Sequence, residues 1–162
     1  MLFAQSSPPT PTPDSRFPLP LAVPAFRFIR NQSQRAKASD VDACINEGVL
    51  NMSGQGLGAT GVNDRVCKRV EERTDVKEID LSDNCLGFHG AVAISQTLQK
   101  LSHVVASDIT LLDISSNATG PGGGVAVAEM LGATRSLRVL RMANNDIGFA
   151  GGIALGPAIG RN

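Results

Sequence analysis

The chain has 162 residues and a formal net charge of zero at pH 7, with 15 basic and 15 acidic side chains. A single domain is expected at this length, and a balanced charge gives no whole-molecule attraction to nucleic acid or to an anionic membrane. The sequence contains no run of about 18 apolar residues, so no transmembrane helix is predicted. Three cysteines without metal-ligand spacing favour a reducing compartment, and we expect a cytoplasmic protein.

The first 38 residues differ in composition from the rest of the chain. Seven of the nine prolines lie between Pro8 and Pro24, and five basic side chains accompany the single acidic residue Asp14. Such a proline density favours extended chain rather than a core, so we predict a disordered Pro/Ser-rich tail over residues 1–38. The basic and serine bias is also compatible with a transit peptide that targets an organelle. A minimal ligand for a proline-binding domain, Pro8 with Pro11, is a further alternative.

A short helix and a first strand–turn–helix unit are predicted after the tail. The short helix covers Ser39 to Asn46, with Ser39 as its N-cap. Val49 to Met52 is predicted to be a strand that this helix shields, and a glycine-rich turn extends from it to Gly61. Asn63 to Thr74 is predicted to be helical, because valines recur at every fourth position from Val62.

A skeleton anchored on asparagine then occurs three times. Each copy has an aliphatic residue or methionine eight, five and three positions before the anchor, and glycines three and six positions after it. The anchors are Asn84, Asn117 and Asn145, and Gln55 takes that place in a weaker first copy. The apolar sets are Val76/Ile79/Leu81, Ile109/Leu112/Ile114 and Leu137/Leu140/Met142, and the glycine pairs are Gly87/Gly90, Gly120/Gly123 and Gly148/Gly151. Intervals of roughly 30 residues between anchors are typical of a solenoid of stacked repeats.

This pattern, from about Leu50 to the C-terminus, resembles the ribonuclease-inhibitor-like subfamily of leucine-rich repeat proteins. The resemblance implies an α/β solenoid over residues 39–162, a short horseshoe segment of about three to four repeats. Its parallel strands would line the concave side and its helices the convex side. Matching apolar positions place the helices at Ala91–Leu98, Gly124–Leu131 and Gly152–Ile159. The resemblance also implies that Asn84, Asn117 and Asn145 form a buried ladder that satisfies backbone groups of neighbouring repeats.

The same alternation along each strand predicts a partner-binding surface. Residues between the core positions face the concave side, and one such column consists of Asn51, Asp80, Asp113 and Arg141. We predict that the partner-binding residues are Asp80, Ser82, Asp83, Asp113, Ser115, Arg138 and Arg141. The column changes from acidic to basic along the axis, which favours an oriented, charge-complementary protein partner. An ordinary solvated sheet face is the alternative interpretation.

The C-terminal unit is expected to have an open flank. A polar capping unit does not follow Ile159, and Pro157 lies inside the last helix, where proline removes a hydrogen bond. The apolar flank of this unit therefore lacks a neighbour; it includes Leu140, Met142, Ile153 and Leu155. We expect the chain to continue into further repeats, to self-associate through this end, or to fray there.

Enzyme chemistry is not predicted. The run Gly120 to Gly124 precedes a helix, as a phosphate-binding loop does, but it lacks the Gly-Lys-Ser/Thr ending, and glycines recur in the other repeat turns. His89 and His103 are isolated from any cysteine or carboxylate at ligand or triad spacing. We therefore expect no catalytic residue, no cofactor and no metal ion.

Three functions remain open on the sequence alone. The first is a protein–protein interaction module that binds a protein partner through the concave strand face. The second is a GTPase-activating protein, because the Ran GTPase-activating family resembles these repeats. The third is a fragment of a longer repeat receptor or scaffold without independent activity. Nucleic acid and membrane are not expected as partners.

Overall fold

The computed structural model of this protein describes residues 41–104 and 108–162, which fall within a unit spanning Gln34–Asn162. The predicted tail over residues 1–38 and the predicted N-cap Ser39 lie outside the described residues.

Short strands and longer helices alternate along the described chain. The strands are β1 (Ile45–Asn46), β2 (Val49–Asn51), β3 (Glu78–Asp80), β4 (Leu111–Asp113) and β5 (Val139–Arg141). The helices are α1 (Gly58–Gly61), α2 (Lys68–Glu72), α3 (Gly87–Leu101), α4 (Gly120–Ala133) and α5 (Gly148–Arg161), with a π-helical segment, Val62–Cys67, between α1 and α2. This alternation around one mainly parallel sheet is an α/β repeat fold.

The strands form one sheet in chain order from β1 to β5. Strands β2 to β5 are parallel and in register, so Leu50, Ile79, Leu112 and Leu140 lie side by side. Parallel neighbours need a crossover connection, and the helical segment of each unit supplies it. The predicted arrangement of parallel strands and helices is confirmed.

The hydrophobic core lies between the sheet and the helices. Leu50, Ile79 and Leu112 enter it from the strands, and Ile94 and Val127 enter it from α3 and α4. Because side chains alternate along a strand, the residues next to these point to the opposite side of the sheet. We call that side the outer face; its central column is Asn51, Asp80, Asp113 and Arg141.

The predicted N-terminal helix is wrong over most of its length. Asp42–Cys44 form a single 3-10 turn, and Ile45 and Asn46 form β1, which pairs antiparallel with β2. The reason lies in the turn between the strands, where Glu47 and Gly48 both have positive φ, at 50° and 81°. Two such residues favour a tight hairpin. A strand, rather than a helix, therefore covers the edge of β2.

The last three helices were predicted in the right places but too short, whereas the first, predicted over Asn63–Thr74, begins at Gly58 and ends at Glu72. In the last three units the helix begins at the first glycine of the pair, and Gly87 and Gly120 have φ of 59° and 67°. The second glycine is needed for close packing, since a Cβ on Gly123 would lie 2.5 Å from the Cβ of Thr119. The glycine pair thus both turns the chain into the helix and lets its first turn pack tightly.

The helix α5 continues through Pro157 to Arg161. Contacts at its end explain why. Asn162 donates its side-chain amide to the carbonyls of Leu131 and Thr134, and Arg135 donates to the carbonyl of Arg161. These bonds attach the end of α5 to the end of α4.

Candidate protein-binding face

The anchor asparagines connect neighbouring units from inside the turns. Asn117 Oδ1 accepts the backbone N–H groups of Asn84 and Leu86 at 2.9 and 3.3 Å. Its Nδ2 donates to the carbonyls of Leu81, Ile114 and Ser115 at 2.9, 2.9 and 3.1 Å. Asn84 and Asn145 make the equivalent bonds, and all three side chains are buried. The ladder fixes the separation and register of the units behind the outer face.

The first unit has no such anchor. Gln55 donates its backbone N–H to Asn84 Oδ1, and its own side-chain amide reaches only the Ser53 carbonyl, at 3.4 Å. The extra methylene of glutamine carries the amide away from the position that asparagine occupies. The ladder therefore begins at Asn84.

Each anchor is flanked by residues with left-handed backbone conformation, a feature that the sequence analysis missed. Six of them are not glycine: Asp83, Cys85, Ser116, Ala118, Asn144 and Asp146, with φ between 50° and 57°. This geometry lets the N–H groups of an anchor and of the residue two positions later converge on one Oδ1 atom. It costs roughly 1 to 2 kcal/mol for most residue types. The glycines at 54 and 56 of the first unit were the available signal, since they occupy the same two positions.

The predicted binding residues lie on one face, but two of them are not open to solvent. Asp80 and Asp113 are only 3% and 6% exposed, so their assignment as accessible partner contacts is corrected. Asp80 Oδ1 accepts the N–H and hydroxyl of Ser82 at 3.0 and 2.7 Å, and Asp113 Oδ1 accepts the N–H of Ser115 at 2.9 Å. A short polar side chain that folds back onto the backbone two residues later stabilises the turn after the strand. These carboxylates therefore hold the strand ends.

The remaining predicted residues are accessible to different degrees. Asp83 and Arg138 are exposed, whereas Ser82, Ser115 and Arg141 are half-buried. Arg141 lies next to Asp113, with 3.8 Å between its guanidinium and the carboxylate. The accessible charge thus changes from acidic at Asp83 to basic at Arg138.

A further column on the outer face was missed by the sequence analysis. It lies two positions before the central column and consists of Val49, Glu78, Leu111 and Val139. Leu111 is buried, but it is not part of the hydrophobic core between the sheet and the helices. The alternation rule that identified the central column would have found these residues as well. The outer face therefore combines apolar and polar positions.

A groove lies on the helix side of the molecule. It has a volume of about 500 Å³ and lies between α1–α2 and α3, with Cys67 and His89 among its lining residues. Burial raises the pKa of the Cys67 thiol, which therefore stays protonated near neutral pH. Across the groove, Lys100 contacts Glu71 at 3.3 Å.

The run Gly120 to Gly124, which precedes a helix as a phosphate-binding loop does, forms the first turn of α4 and packs against neighbouring units. A Cβ on Gly124 would come within 2.9 Å of the Gly151 Cα, so this surface is already occupied by α5. Among residues 41–104 and 108–162, His, Cys, Asp and Glu form no cluster of three that could hold a metal ion. Within the same ranges, no helix has the length and apolar character needed to cross a bilayer.

Two stretches of the chain match a known repeat family. Residues 74–95 and 134–156 match the family model of the leucine-rich repeat. These two stretches of the chain are similar to the leucine-rich repeat. Each matched stretch contains a strand, an anchor asparagine and the start of a long helix: β3, Asn84 and α3 in the first, and β5, Asn145 and α5 in the second. The repeat between them, anchored on Asn117, makes the same hydrogen bonds. Among curated proteins no match to the chain was found.

Proposed function

We propose that this protein is an interaction module that binds a protein partner through the outer face of its leucine-rich repeats, which forms the concave side of a short solenoid. The observation that carries the proposal is the in-register array of side chains on β2 to β5. Neighbouring strands in a sheet lie about 4.8 Å apart, and the buried asparagines fix that spacing. A partner would therefore meet a surface that needs little ordering on binding.

Three strand ends present the accessible polar groups. Asp83, Ser116 and Asn144 are exposed at equivalent positions, and each has a fixed left-handed backbone. Serines at 82 and 115 lie beside them and are positioned by Asp80 and Asp113. A partner that fits this array would extend across at least three repeats. It would present a row of hydrogen-bonding groups to these three residues.

Charge gives the array a direction. Glu78 and Asp83 lie on or beside the central strand β3, and Arg138 and Arg141 lie on or beside β5 at one end of the sheet. A partner with the opposite gradient would bind in one orientation, because charge complementarity contributes to specificity and association rate.

The length of the repeats supports assignment to the ribonuclease-inhibitor-like subfamily. Helices α3, α4 and α5 contain 15, 14 and 14 residues, so each repeat carries a full helix behind a three-residue strand. We propose this subfamily, and binding without catalysis, for the protein. The absence of catalysis is tested by measuring GTP hydrolysis by a panel of small GTPases with and without this protein. We expect no stimulation of hydrolysis. A saturable increase in the hydrolysis rate would instead support a GTPase-activating role.

Charge reversal on the outer face tests the binding proposal. Immobilised wild-type chain is compared with an Asp83→Arg/Arg138→Glu variant in capture from a cell extract, and captured proteins are quantified by mass spectrometry. Glu129→Arg, at an exposed position on α4, is the matched control. We expect the outer-face variant to lose specific captured proteins that the control retains. Identical capture by all three chains would contradict the proposal.

A further inference from the structure

The helical segment of the first unit contains one extra residue in its first half. In the last three units, the tenth residue after the anchor is buried in the core: Ile94, Val127 and Leu155. In the first unit the tenth residue is the exposed Arg65, and the buried residue is Val66, the eleventh. The π-helical segment Val62–Cys67 contains this extra residue, because a π-turn closes one residue later than an α-turn.

The groove between this helical segment and α3 adjoins the extra residue. Asn63, Asp64 and Cys67 line the groove, and all three belong to the π-helical segment. The volume of about 500 Å³ lies in the range of ligand pockets, and π-helical turns occur frequently at functional sites. The groove lies on the helix side of the sheet, whereas the partner proposed above binds the outer face.

Between α3 and α4, two large side chains fill the places that are open in the groove. Phe88, four positions after its anchor, packs over Gly122, where an added Cβ would lie 2.8 Å from the ring. Met130, thirteen positions after its anchor, is fully buried. The equivalent residues at the groove are Ala59 and Thr97, and both line it. The groove therefore has one place of phenyl size and one of methionine size.

We propose that this groove binds an extended peptide segment of a partner protein, with an aromatic residue and a methionine-sized apolar residue four positions apart. The two places are nine positions apart along the helices, which is about 13 Å. An extended chain covers that distance in about four residues. Side chains four positions apart lie on the same side of an extended chain, so both enter the groove together.

The walls of the groove suit the backbone of such a peptide. Asn63 lines it from the π-helical segment and Gln96 lines it from α3. An amide side chain donates and accepts hydrogen bonds, as a peptide group does. Charged side chains of the groove are paired within the protein: Lys68 with Asp64 at 3.6 Å, and Lys100 with Glu71 at 3.3 Å. An uncharged peptide therefore fits the groove better than a charged one.

A pair of short peptides tests this complementarity. The probe is the acetylated and amidated peptide Phe-Ala-Ser-Ala-Met, and its control is Ala-Ala-Ser-Ala-Ala with the same ends. Each is titrated into the isotope-labelled full chain, and amide NMR shifts give both the affinity and the location of binding. Ala59→Phe fills the aromatic place of the groove. Ala133→Phe, at an exposed position at the end of α4, is the matched control variant.

We expect saturable shifts at the amides of Ala93 and Thr97, which line the groove, and none at Ser116 on the outer face. The control peptide should bind at least about tenfold more weakly, because it lacks the two side chains that would be buried. Ala59→Phe should lower the affinity for the probe about tenfold, and Ala133→Phe should not change it.

Three results would overturn the proposal. The first is the absence of saturable shifts at millimolar probe, since the groove would then not be open to this ligand. The second is equal affinity for the two peptides, and the third is shifts centred on the outer face. The comparison of peptides needs only the wild-type chain, so it decides the matter even where Ala59→Phe prevents folding. Loss of this site would leave the outer face and the function proposed for it unaffected.

Discussion

At the scale of single residues, one amide side chain per repeat satisfies several backbone groups at once. Asn117 accepts two N–H groups and donates to three carbonyls. Aspartate at this position would lack the donors, and serine would be too short to reach both units. Buried backbone groups that lose their partners are costly, so the ladder contributes strongly to stability.

Replacement of the central anchor should therefore destabilise the fold more than a change on the outer face. We expect Asn117→Ala to lower the free energy of unfolding by about 3 kcal/mol, since it leaves buried donors and acceptors unpaired. Ser115→Ala, two residues away and half-buried, should change it by less than about 0.5 kcal/mol. Urea unfolding of the two variants measures the difference, and equal midpoints would refute the ladder's role.

Two cysteines should differ sharply in reactivity. Cys85 is exposed, whereas Cys67 is buried and burial raises its thiol pKa from an ordinary value of 9.0. In a Cys44→Ser background at pH 8, we expect a thiol reagent to label Cys85 rapidly and Cys67 only after unfolding. As pH rises, the Cys67 thiol loses its proton at a lower pH in the unfolded chain than in the folded protein. The contribution of this thiol to folding stability is therefore present below pH 9.0 and is lost as pH rises further. Equal labelling rates in the folded protein would show that Cys67 is accessible.

At the scale of elements, the glycines of α4 have opposite roles along one helix. Gly124 allows α4 to approach α5, because an added Cβ would lie 2.9 Å from the Gly151 Cα. Gly132 lies in the same helix, and nothing lies within 4 Å of an added Cβ there. The first glycine is required by packing, and the second only weakens the helix.

Alanine at these two positions should shift stability in opposite directions. We expect Gly124→Ala to destabilise by about 1 to 3 kcal/mol through overpacking against backbone. Gly132→Ala should stabilise by about 0.5 to 1 kcal/mol, since alanine is the better helix former. Thermal unfolding compares them; stabilisation by both would mean that α4 and α5 can separate without penalty.

The elements also show where local sequence signals were insufficient. The strand at Val49–Asn51 and the long helices follow from apolar spacing, so they were predicted. The hairpin before them was not, because Glu47 has no intrinsic preference for positive φ and adopts it only when β1 pairs with β2. The ends of the helices also depended on packing between units, which spacing alone does not reveal.

At the scale of the whole molecule, the repeat itself carried most of the predictive information. Recurrence of the anchors implied a parallel sheet, a helix per unit and a common outer face, and the described chain shows this arrangement. Accessibility on that face was not predictable from alternation. Asp80 and Asp113 alternate as exposed residues should, but their carboxylates fold onto Ser82 and Ser115. The alternation of side chains along a strand gives the face on which a side chain lies, but it does not show whether that side chain forms a hydrogen bond with a residue nearby in the chain.

The central claim is that the outer face is where a protein partner binds. Photo-crosslinking tests it most directly: a benzophenone amino acid is introduced at Ser116 on the outer face or at Glu129 on the helix side, both exposed. After irradiation in a cell extract, crosslinked species are compared by mass, with and without the Asp83→Arg/Arg138→Glu changes. We predict a discrete adduct from position 116 that the charge changes abolish, and none from position 129. The same adduct from both positions, or one that persists after charge reversal, would contradict the account.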